Sequence, residues 1–324
     1  MKIVFHGQNA CSFVPGFAEL LSEPHEIIEL PDALTRAEDR AAYAAADVII
    51  GVQLAAGMPV ADTLKLYQLP GAGYDGIDLS LVPAGTTLCN CFGHDAAIAE
   101  YVMAALLLRH VPLADANARL RKGDWAYRSG GTDALRTELG DQTIGLIGFG
   151  HIGKTIAARA KAFGMKVIVA NRSTPQDTGL FDQAFALSDL KAFAGQADVI
   201  VNTLPFNAET ASLVNADIFA AMKPDATVLN VGRGPVIDEK ALFEALSQKR
   251  IGGAIIDTWY VYPDGSNPNP HPSAYPFHEL DNVVMTPHMS GWTHGTVNRR
   301  RHAMAENINR LAKGEALQNT IKLT

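Results

Sequence analysis

The stretch from residue 143 to 173, TIGLIGFGHIGKTIAARAKAFGMKVIVANRS, constrains the fold of this chain more than any other. An apolar run is followed by a glycine-rich turn, a segment with helical periodicity and a second apolar run. This order predicts a β-α-β unit. The alternative, a glycine-rich turn in an unrelated α/β sheet, is weakened because all three flanking segments are present.

The glycines of this stretch, Gly148, Gly150 and Gly153, form a GxGxxG pattern directly after the first apolar run. Gly148 allows a tight turn, Gly150 lets the backbone approach a pyrophosphate, and Gly153 lets the helix pack on the strand. The N–H groups and the dipole at the start of the helix would then face the phosphates. The pattern therefore predicts a dinucleotide-binding unit.

The composition narrows the class of protein and its partners. With 324 residues, 48% of them hydrophobic and 19% charged, the chain suits two globular domains. Its net charge of −7 argues against a nucleic acid or a membrane surface as partner, because both require clustered positive charge. The short basic run 299–301 lies in a helical pattern and indicates a solvated or interdomain helix face.

Cysteine usage and hydropathy point to a reducing compartment. Cys11, Cys89 and Cys91 are too few for a disulfide framework, and a single C-x-C lacks the second pair of ligands that zinc requires, so we expect no metal. We find no N-terminal signal pattern and no apolar run of membrane-spanning length. A cytoplasmic protein is expected.

Short apolar runs alternate with helical segments along most of the chain, which predicts two parallel α/β domains. The strands expected in the first domain are 2–7, 26–30, 47–51, 64–69 and 87–90. Those expected after the central unit are 197–202, 227–231, 253–257 and 282–286, which makes a six-stranded doubly wound sheet. A long apolar helix at 96–110 marks the boundary, near Ile98, and a final helix at 298–313 is expected to return to the first domain.

Several side chains at predicted strand ends could carry chemistry, because the carboxyl ends of parallel strands converge on one crevice. Arg233 follows one strand, Asp257 ends the next, and His288 follows the last. An arginine fork binds two oxygens of a carboxylate, and a histidine exchanges protons near neutral pH. The alternatives are a helix-capping Arg233 and a His288 that hydrogen-bonds a loop.

Two further segments have two interpretations each. The turn of Gly71, Ala72 and Gly73 could hold a small anion on its N–H groups, or it could cap the next helix through Asp75. The irregular loop 122–139, rich in glycine and aromatic residues, could form a subunit contact or pack over its own domain.

The motifs LPGAGYDGIDL, GLIGFGHIG, NTLPFNAETASLVN, NVGRGPVIDEKAL and TPHMSG, in this order, resemble the D-isomer-specific 2-hydroxyacid dehydrogenases, a family that includes metal-free NAD-dependent formate dehydrogenases. Within the family the chain resembles the glyoxylate and hydroxypyruvate reductases, with some features of the formate dehydrogenases. The resemblance implies that Arg233 binds substrate, that His288 is the acid/base and that Asp257 lies near the nicotinamide amide. It also implies that the backbone of Ala72 and Gly73 meets the substrate carboxylate.

The resemblance further implies two doubly wound parallel-sheet (Rossmann-like) domains, the first discontinuous, and a homodimer formed through the cofactor domains. We expect a substrate-binding domain of residues 1–97 and 289–324 and a dinucleotide-binding domain of residues 98–288. The expected cofactor-binding residues are Gly148, Gly150, His151, Ile152, Gly153, Asn171, Arg172, Ser173, Leu204, Pro205, Val231, Gly232, Asp257, Ser290 and Gly291.

Two positions depart from the family pattern. A glutamate that pairs with the catalytic histidine usually precedes a proline, but here Tyr262 precedes Pro263, and a neutral phenol does not stabilise imidazolium as a carboxylate does. Asp264 is a candidate to replace that glutamate. His94, expected to bind substrate, stands where the formate branch has an asparagine, which weakens the formate interpretation.

The cofactor preference depends on the end of the second strand of the central unit. An acidic residue there normally accepts the ribose hydroxyls of NAD and repels a 2′-phosphate. This chain has Asn171, followed by Arg172 and Ser173. The neutral amide removes the repulsion and the arginine can bind phosphate, so NADP is favoured over NAD.

Three functions compete at this stage. The first is an NAD(P)-dependent reductase of a small anionic 2-oxoacid, with His288, Arg233 and Tyr262 as catalytic residues. The second is a formate or other small-anion dehydrogenase of the same fold. The third is a non-catalytic NAD(P)-sensing dimeric regulator, against which the retained Arg233 and His288 argue.

Overall fold

The computed structural model describes residues 1–130, 135–176 and 178–322. The strands are β1 (Lys2–His6), β2 (Glu26–Leu30), β3 (Val48–Gly51), β4 (Leu66–Gln68), β5 (Thr87–Cys89), β6 (Thr143–Ile147), β7 (Lys166–Asn171), β8 (Gln183–Ala186), β9 (Val199–Asn202), β10 (Thr227–Asn230), β11 (Gly253–Ile256), β12 (Val283–Met285) and β13 (Thr320–Ile321). The α-helices are α1 (Gly7–Cys11), α2 (Ala37–Ala44), α3 (Asp95–His110), α4 (Leu113–Leu120), α5 (His151–Ala162), α6 (Leu190–Ala194), α7 (Ala216–Ala221), α8 (Glu239–Ser247) and α9 (His294–Lys313). Short 3₁₀ helices lie at Ala18–Leu20, Leu79–Leu81, Leu139–Asp141, Leu187–Asp189, Gly234–Val236 and Phe277–Glu279.

The chain divides into two compact units, and the first is discontinuous. The first unit is Met1–Gly93 with Thr293–Thr324, and the second is His94–Trp292. The expected boundaries, at residues 97/98 and 288/289, lie four residues away on each side. A cut at 97/98 would split the first turn of α3, and a cut at 288/289 would split a loop whose amides at Met289 and Ser290 bind Asp257 of the second unit.

The first unit contains a six-stranded sheet in the order β13-β5-β4-β3-β1-β2. Its strand pairs are parallel except for β13 with β5, and this two-residue antiparallel strand is too short to leave a sequence signal. Helix α9 belongs to this unit, as expected, and begins at His294 because the Thr293 hydroxyl caps it by accepting the N–H of Thr296. Its Met304 and Ile308 pack into the core beneath the sheet.

The basic run within α9 faces loops of its own unit. The guanidinium of Arg299 donates to the carbonyl of Gly93 at 2.7 Å, and that of Arg301 donates to the carbonyl of Phe13 at 3.1 Å. These bonds fasten the helix to two turns of the first unit.

The second unit contains a seven-stranded parallel sheet in the order β12-β11-β10-β9-β6-β7-β8. The six-stranded prediction omitted β8, an edge strand that has no fully buried residue. Strands β9, β10 and β11, which lie inside the sheet, are buried along their whole length, which explains their continuous apolar sequences. Helices cover both faces of this sheet and bury two hydrophobic clusters.

Two predictions from composition concern metal binding and membrane spans, and a third prediction concerns a loop that the structure describes only in part. No group of three His, Cys, Asp or Glu side chains that could hold a metal ion occurs among the described residues. Nor does any single helix in this part of the chain have the length and apolar composition of a membrane span. Helices α3 and α4 together have that length and composition, but the chain bends by 47° between them. Within the predicted loop 122–139, residues 131–134 lie outside the described residues.

Candidate active site

The glycine-rich turn joins β6 to α5 in the second unit. Gly148 has a φ of +96°, which favours glycine, and a Cβ at Gly153 would collide with the carbonyl oxygen of Gly148. A Cβ at Gly150 would meet nothing within 4 Å, so the turn is open on that side. Helix α5 begins at His151, and its N-cap residue, Gly150, has no side chain that could bind the first amides of the helix. Those amides belong to His151 and Ile152. These features fit a bound pyrophosphate.

The end of β7 carries the residues expected to set the cofactor preference. The Asn171 side chain accepts the N–H of Phe149 at 3.3 Å and donates to the carbonyl of Ser173 at 2.9 Å. It therefore ties the glycine-rich turn to the loop that follows β7. The side chain of Arg172 is 83% exposed and lies 3.7 Å from a carboxylate oxygen of Glu209.

A buried pair of asparagines supports the Arg233 loop, and the sequence analysis did not single them out for this role. Asn202 ends β9 and Asn230 ends β10, and they are partners in the strand register. Asn202 donates to the side-chain oxygen of Asn230 at 2.9 Å, and Asn230 donates to the carbonyl of Arg233 at 3.2 Å. The Asn230 oxygen also accepts the N–H of Gly232. An amide that ends each of two adjacent apolar strands was the available sequence signal.

Expected cofactor residues follow these two strand ends. Leu204 and Pro205 come after β9, and the N–H of Leu204 donates to the side chain of Asn202 at 3.1 Å. Val231 and Gly232 come after β10, and a Cβ at Gly232 would lie 2.6 Å from the carbonyl oxygen of Leu204. The two loops therefore pack against each other without room for a side chain at Gly232.

Asp257 organises the loop that follows β12. Its carboxylate is fully buried and accepts the Thr286 hydroxyl at 2.6 Å, the Met289 N–H at 2.9 Å and the Ser290 N–H at 2.9 Å. The side chain thus fastens the loop on both sides of His288. Its expected approach to the nicotinamide amide stays a prediction.

His288 has a left-handed backbone, with a φ of +56°. A non-glycine residue in this region persists only where its surroundings hold it, and such residues cluster at functional sites. Nδ1 of His288 lies 2.9 Å from the phenolic oxygen of Tyr262. That oxygen also accepts the backbone N–H of Trp259 at 3.1 Å, while the Trp259 indole donates to the carbonyl of Thr286 at 2.8 Å.

The electrostatics of Tyr262 connect it to Arg233. Burial raises the pKa of Tyr262, whereas the hydrogen bond from Trp259 and the positive charge of Arg233 act to lower it and the charge of Asp257 acts to raise it. The phenol is therefore neutral at physiological pH. Asp264 does not serve as the substitute carboxylate, because its side chain accepts bonds from Ser266 and from the Asn267 amide of its own turn.

The remaining expected substrate residues lie in different units. His94 precedes α3 in the second unit, where a Cβ at Gly291 would lie 3.3 Å from the His94 Cβ, so it neighbours the loop of His288. Ala72 and Gly73 lie in the first unit, where the Asn90 side chain donates to the carbonyl of Ala72 at 2.8 Å. The second unit by itself thus brings together Arg233, Asp257, Tyr262 and His288.

A parallel sheet with an open glycine-rich turn at the end of its first strand defines a dinucleotide-binding α/β protein. Residues 102–290 match the family model described as D-isomer specific 2-hydroxyacid dehydrogenase, NAD binding domain. The chain belongs to the D-isomer specific 2-hydroxyacid dehydrogenase family, and its second unit carries the NAD-binding domain of that family.

Individual relatives agree with this assignment. A D-3-phosphoglycerate dehydrogenase from Synechocystis sp. is 35% identical over 71% of this chain. The matched region spans only 40% of the length of that protein. A family protein of known structure from Aeromonas salmonicida is 27% identical, with a TM-score of 0.82 and coverage of 100% of this chain and 99% of its own. An NADPH-dependent glyoxylate/hydroxypyruvate reductase from Sinorhizobium meliloti is 28% identical, with a TM-score of 0.78 and coverage of 100% and 98%.

Proposed function

We propose that this protein reduces small 2-oxoacids with NAD(P)H and oxidises D-2-hydroxyacids in the reverse direction. One observation carries the proposal. The Tyr262 hydroxyl lies 2.9 Å from Nδ1 of His288, and Arg233 is near enough for its positive charge to act on the pKa of the same hydroxyl. A proton-exchanging group and a carboxylate-binding group therefore belong to one site. The similarity to the Sinorhizobium meliloti glyoxylate/hydroxypyruvate reductase supports a small 2-oxoacid as substrate.

In this proposal the turn from Gly148 to Gly153 holds the pyrophosphate, and Asn171 with the two residues after it meets the adenosine ribose. The open side of Gly150 supports the first assignment. When bound, the reduced nicotinamide supplies the hydride to the 2-oxo carbon.

His288 gives the proton that completes the hydroxyl group. With Nε2 facing the substrate oxygen, Nδ1–H donates to Tyr262, and this bond keeps the ring oriented before and after Nε2 loses its proton. In this arrangement the phenolic oxygen accepts both Nδ1–H and the Trp259 N–H, and its own hydrogen remains available for a further acceptor.

Arg233 binds the substrate carboxylate with its planar fork and polarises the carbonyl group that is reduced. Asn202 and Asn230 support this role because they hold its backbone through buried hydrogen bonds. The amides of Ala72 and Gly73 are assigned to the same carboxylate, and His94 to substrate, on the family resemblance.

We propose NADP as the preferred cofactor. Asn171 carries no charge that would repel a 2′-phosphate. Arg172 is the next residue, and its exposed guanidinium is available to bind that phosphate. Arg172 would exchange its 3.7 Å ion pair with Glu209 for the phosphate, an exchange of low cost between two exposed groups. The NADPH dependence of the Sinorhizobium meliloti protein also supports this preference.

We also propose a homodimer formed through the second unit. Exposed apolar side chains on α3, α4 and the following loop support it, namely Leu108, Leu113, Leu120, Trp125, Tyr127 and Leu135. Replacing both Leu113 and Trp125 by glutamate should halve the mass measured by light scattering, whereas Val60→Glu, an equally exposed position of the first unit, should not. A wild-type monomer would contradict the proposal.

The cytoplasmic location and the exclusion of nucleic-acid and membrane partners stay predictions.

The decisive experiment measures turnover of purified protein with NADPH or NADH and a panel of 2-oxoacids, with formate and NADP⁺ or NAD⁺ in parallel. We expect reduction of glyoxylate or hydroxypyruvate. Formate oxidation without 2-oxoacid reduction would favour the small-anion dehydrogenase. Dinucleotide binding without turnover of any of these compounds would favour the regulator.

A further inference from the structure

A chain of hydroxyl groups runs from helix α3 to the buried carboxylate of Asp257. The Tyr101 hydroxyl lies 2.7 Å from Oγ1 of Thr286, and the Thr286 hydroxyl donates to Oδ1 of Asp257 at 2.6 Å. Threonine has one hydroxyl hydrogen and the carboxylate only accepts, so Tyr101 must be the donor to Thr286. The direction of both bonds is therefore fixed.

The far end of this chain is the backbone around His288. The same carboxylate accepts the N–H groups of Met289 and Ser290, both at 2.9 Å. His288 immediately precedes them and has a φ of +56°, a conformation that its surroundings must hold. A rotation of the Asp257 carboxylate would release these amides and with them the position of His288.

Tyr101 suits the role of a permanent donor. Burial raises its pKa, the hydrogen bond with Thr286 acts to lower it, and the negative charge of Asp257 raises it. The phenol therefore keeps its proton over the physiological range. Both Tyr101 and Thr286 lie in the second unit, so the whole chain of bonds is internal to it.

We propose that Tyr101 is a positioning residue for the reduction: through Thr286 it fixes the Asp257 carboxylate and, with it, the loop that carries His288. The inference rests on the proposed function for its kinetic consequence. It does not require Tyr101 to touch substrate or cofactor.

The test compares Tyr101→Phe with Tyr260→Phe in the full chain. Tyr260 is the matched control because its hydroxyl also makes a bond within the second unit, to the carbonyl of Ile237 at 3.0 Å. Tyr101→Phe should lower kcat about tenfold, because small displacements of a reacting group reduce turnover strongly. Tyr260→Phe should keep kcat within about twofold, even if both variants lose similar melting temperature.

Thr286 provides a second route if Tyr101→Phe folds poorly. Thr286→Val should reproduce the loss of kcat, whereas Thr286→Ser should keep most of the wild-type kcat. The double variant Tyr101→Phe/Thr286→Val should be no slower than the slower of the two single variants. Unchanged kcat in both Tyr101→Phe and Thr286→Val, or an equal loss in Tyr260→Phe, would overturn the proposal.

Amide hydrogen exchange separates this inference from the proposed function. Exchange at Met289 and Ser290 should accelerate in Tyr101→Phe and not in Tyr260→Phe, whether or not the protein reduces 2-oxoacids. If wild type lacks that activity, the proposed function fails while exchange still decides the positional link. If wild type is active, His288→Gln is inactive and exchange in Tyr101→Phe is unchanged, only the inference on Tyr101 fails.

Discussion

The phenolic oxygen of Tyr262 lies 2.9 Å from Nδ1 of His288. Tyr262 occupies the position at which the family resemblance leads us to expect a glutamate. From the sequence alone, this substitution predicts the loss of a charged partner for the imidazole. The structure shows a neutral partner instead, held in place by the Trp259 N–H. The tyrosine therefore orients the imidazole but contributes no negative charge that would favour its protonated form.

The glycine-rich turn yields a matched pair of substitutions. Gly150→Ala should weaken NADPH binding at least tenfold with an unchanged melting temperature, because its Cβ meets no protein atom but faces the expected phosphate. Gly153→Ala should lower both the affinity for NADPH and the melting temperature, because its Cβ would collide with the carbonyl oxygen of Gly148. Fluorescence titration and thermal unfolding measure the two effects. Equal affinity in Gly150→Ala and wild type would place the pyrophosphate elsewhere.

Asn171→Asp should shift the preference from NADPH toward NADH. The new carboxylate repels a 2′-phosphate and accepts ribose hydroxyls, and it can still accept the N–H of Phe149. The measurement is the ratio of kcat/KM for the two cofactors. Asn215→Asp, which replaces the N-cap of α7, serves as a control for the added charge. The same ratio before and after Asn171→Asp would refute this account of specificity.

Asp182, which immediately precedes the edge strand β8, supplies a prediction on stability and pH. Burial acts to raise the pKa of Asp182, but hydrogen bonds from Lys161 and from the Val167 N–H hold that pKa below its ordinary value. A lowered folded pKa stabilises the protein above the unfolded value, and this contribution is lost as the pH falls through the folded pKa.

Asp182→Asn should therefore lower the melting temperature at pH 7, and the gap from wild type should close as the pH falls below about 4. Asp281→Asn, whose carboxylate is exposed 3.6 Å from Lys249, is the control and should change little at either pH. A gap for Asp182→Asn that is independent of pH would mean that packing, not charge, is lost.

The parts of the fold that the sequence predicted are those with strong local patterns. The β-α-β unit around Gly148 and the buried strands β9 to β11 were found because apolar runs and glycines act within a few residues. Strand β8 was missed because a half-exposed edge strand needs less apolar sequence, and β13 because two residues carry no period.

The candidate site shows the same division. Arg233, Asp257 and His288 could be found from their places after strands, whereas the supporting bonds join residues far apart in the chain. Asn202 and Asn230 meet only because their strands are neighbours in register, and Asp264 could be set aside only once its own turn was seen to bind it. Such contacts depend on the three-dimensional arrangement of the strands.

Arg233→Ala should abolish reduction, with a loss of about 3 kcal/mol or more in kcat/KM, because it removes both carboxylate binding and carbonyl polarisation. Arg250→Ala is a suitable control, since that guanidinium bonds the Gln248 side chain on the surface. Dinucleotide affinity should be unchanged in both variants. An Arg233→Ala protein that kept most of its activity on 2-oxoacids would show that the site is assigned wrongly.

The last prediction concerns Tyr262 and pH. In the direction of reduction the imidazole must begin protonated, and the ordinary pKa of a histidine is about 6.5. Because the raised pKa of Tyr262 keeps the phenol neutral, it adds no charge to favour the protonated imidazole. We therefore expect kcat/KM for reduction to fall as the pH rises through roughly 6 to 7.

Tyr262→Glu should move that fall to higher pH by about one unit or more, because a carboxylate beside Nδ1 favours imidazolium. Tyr262→Gln, which keeps a neutral oxygen at this position, should lower kcat/KM without moving the midpoint, and so separates charge from orientation. The measurement is kcat/KM against pH for the three proteins with the best 2-oxoacid. If wild type kept full activity to pH 8, another acid would support the imidazole or His288 would not be the donor, and an unchanged profile in His288→Gln would select the second.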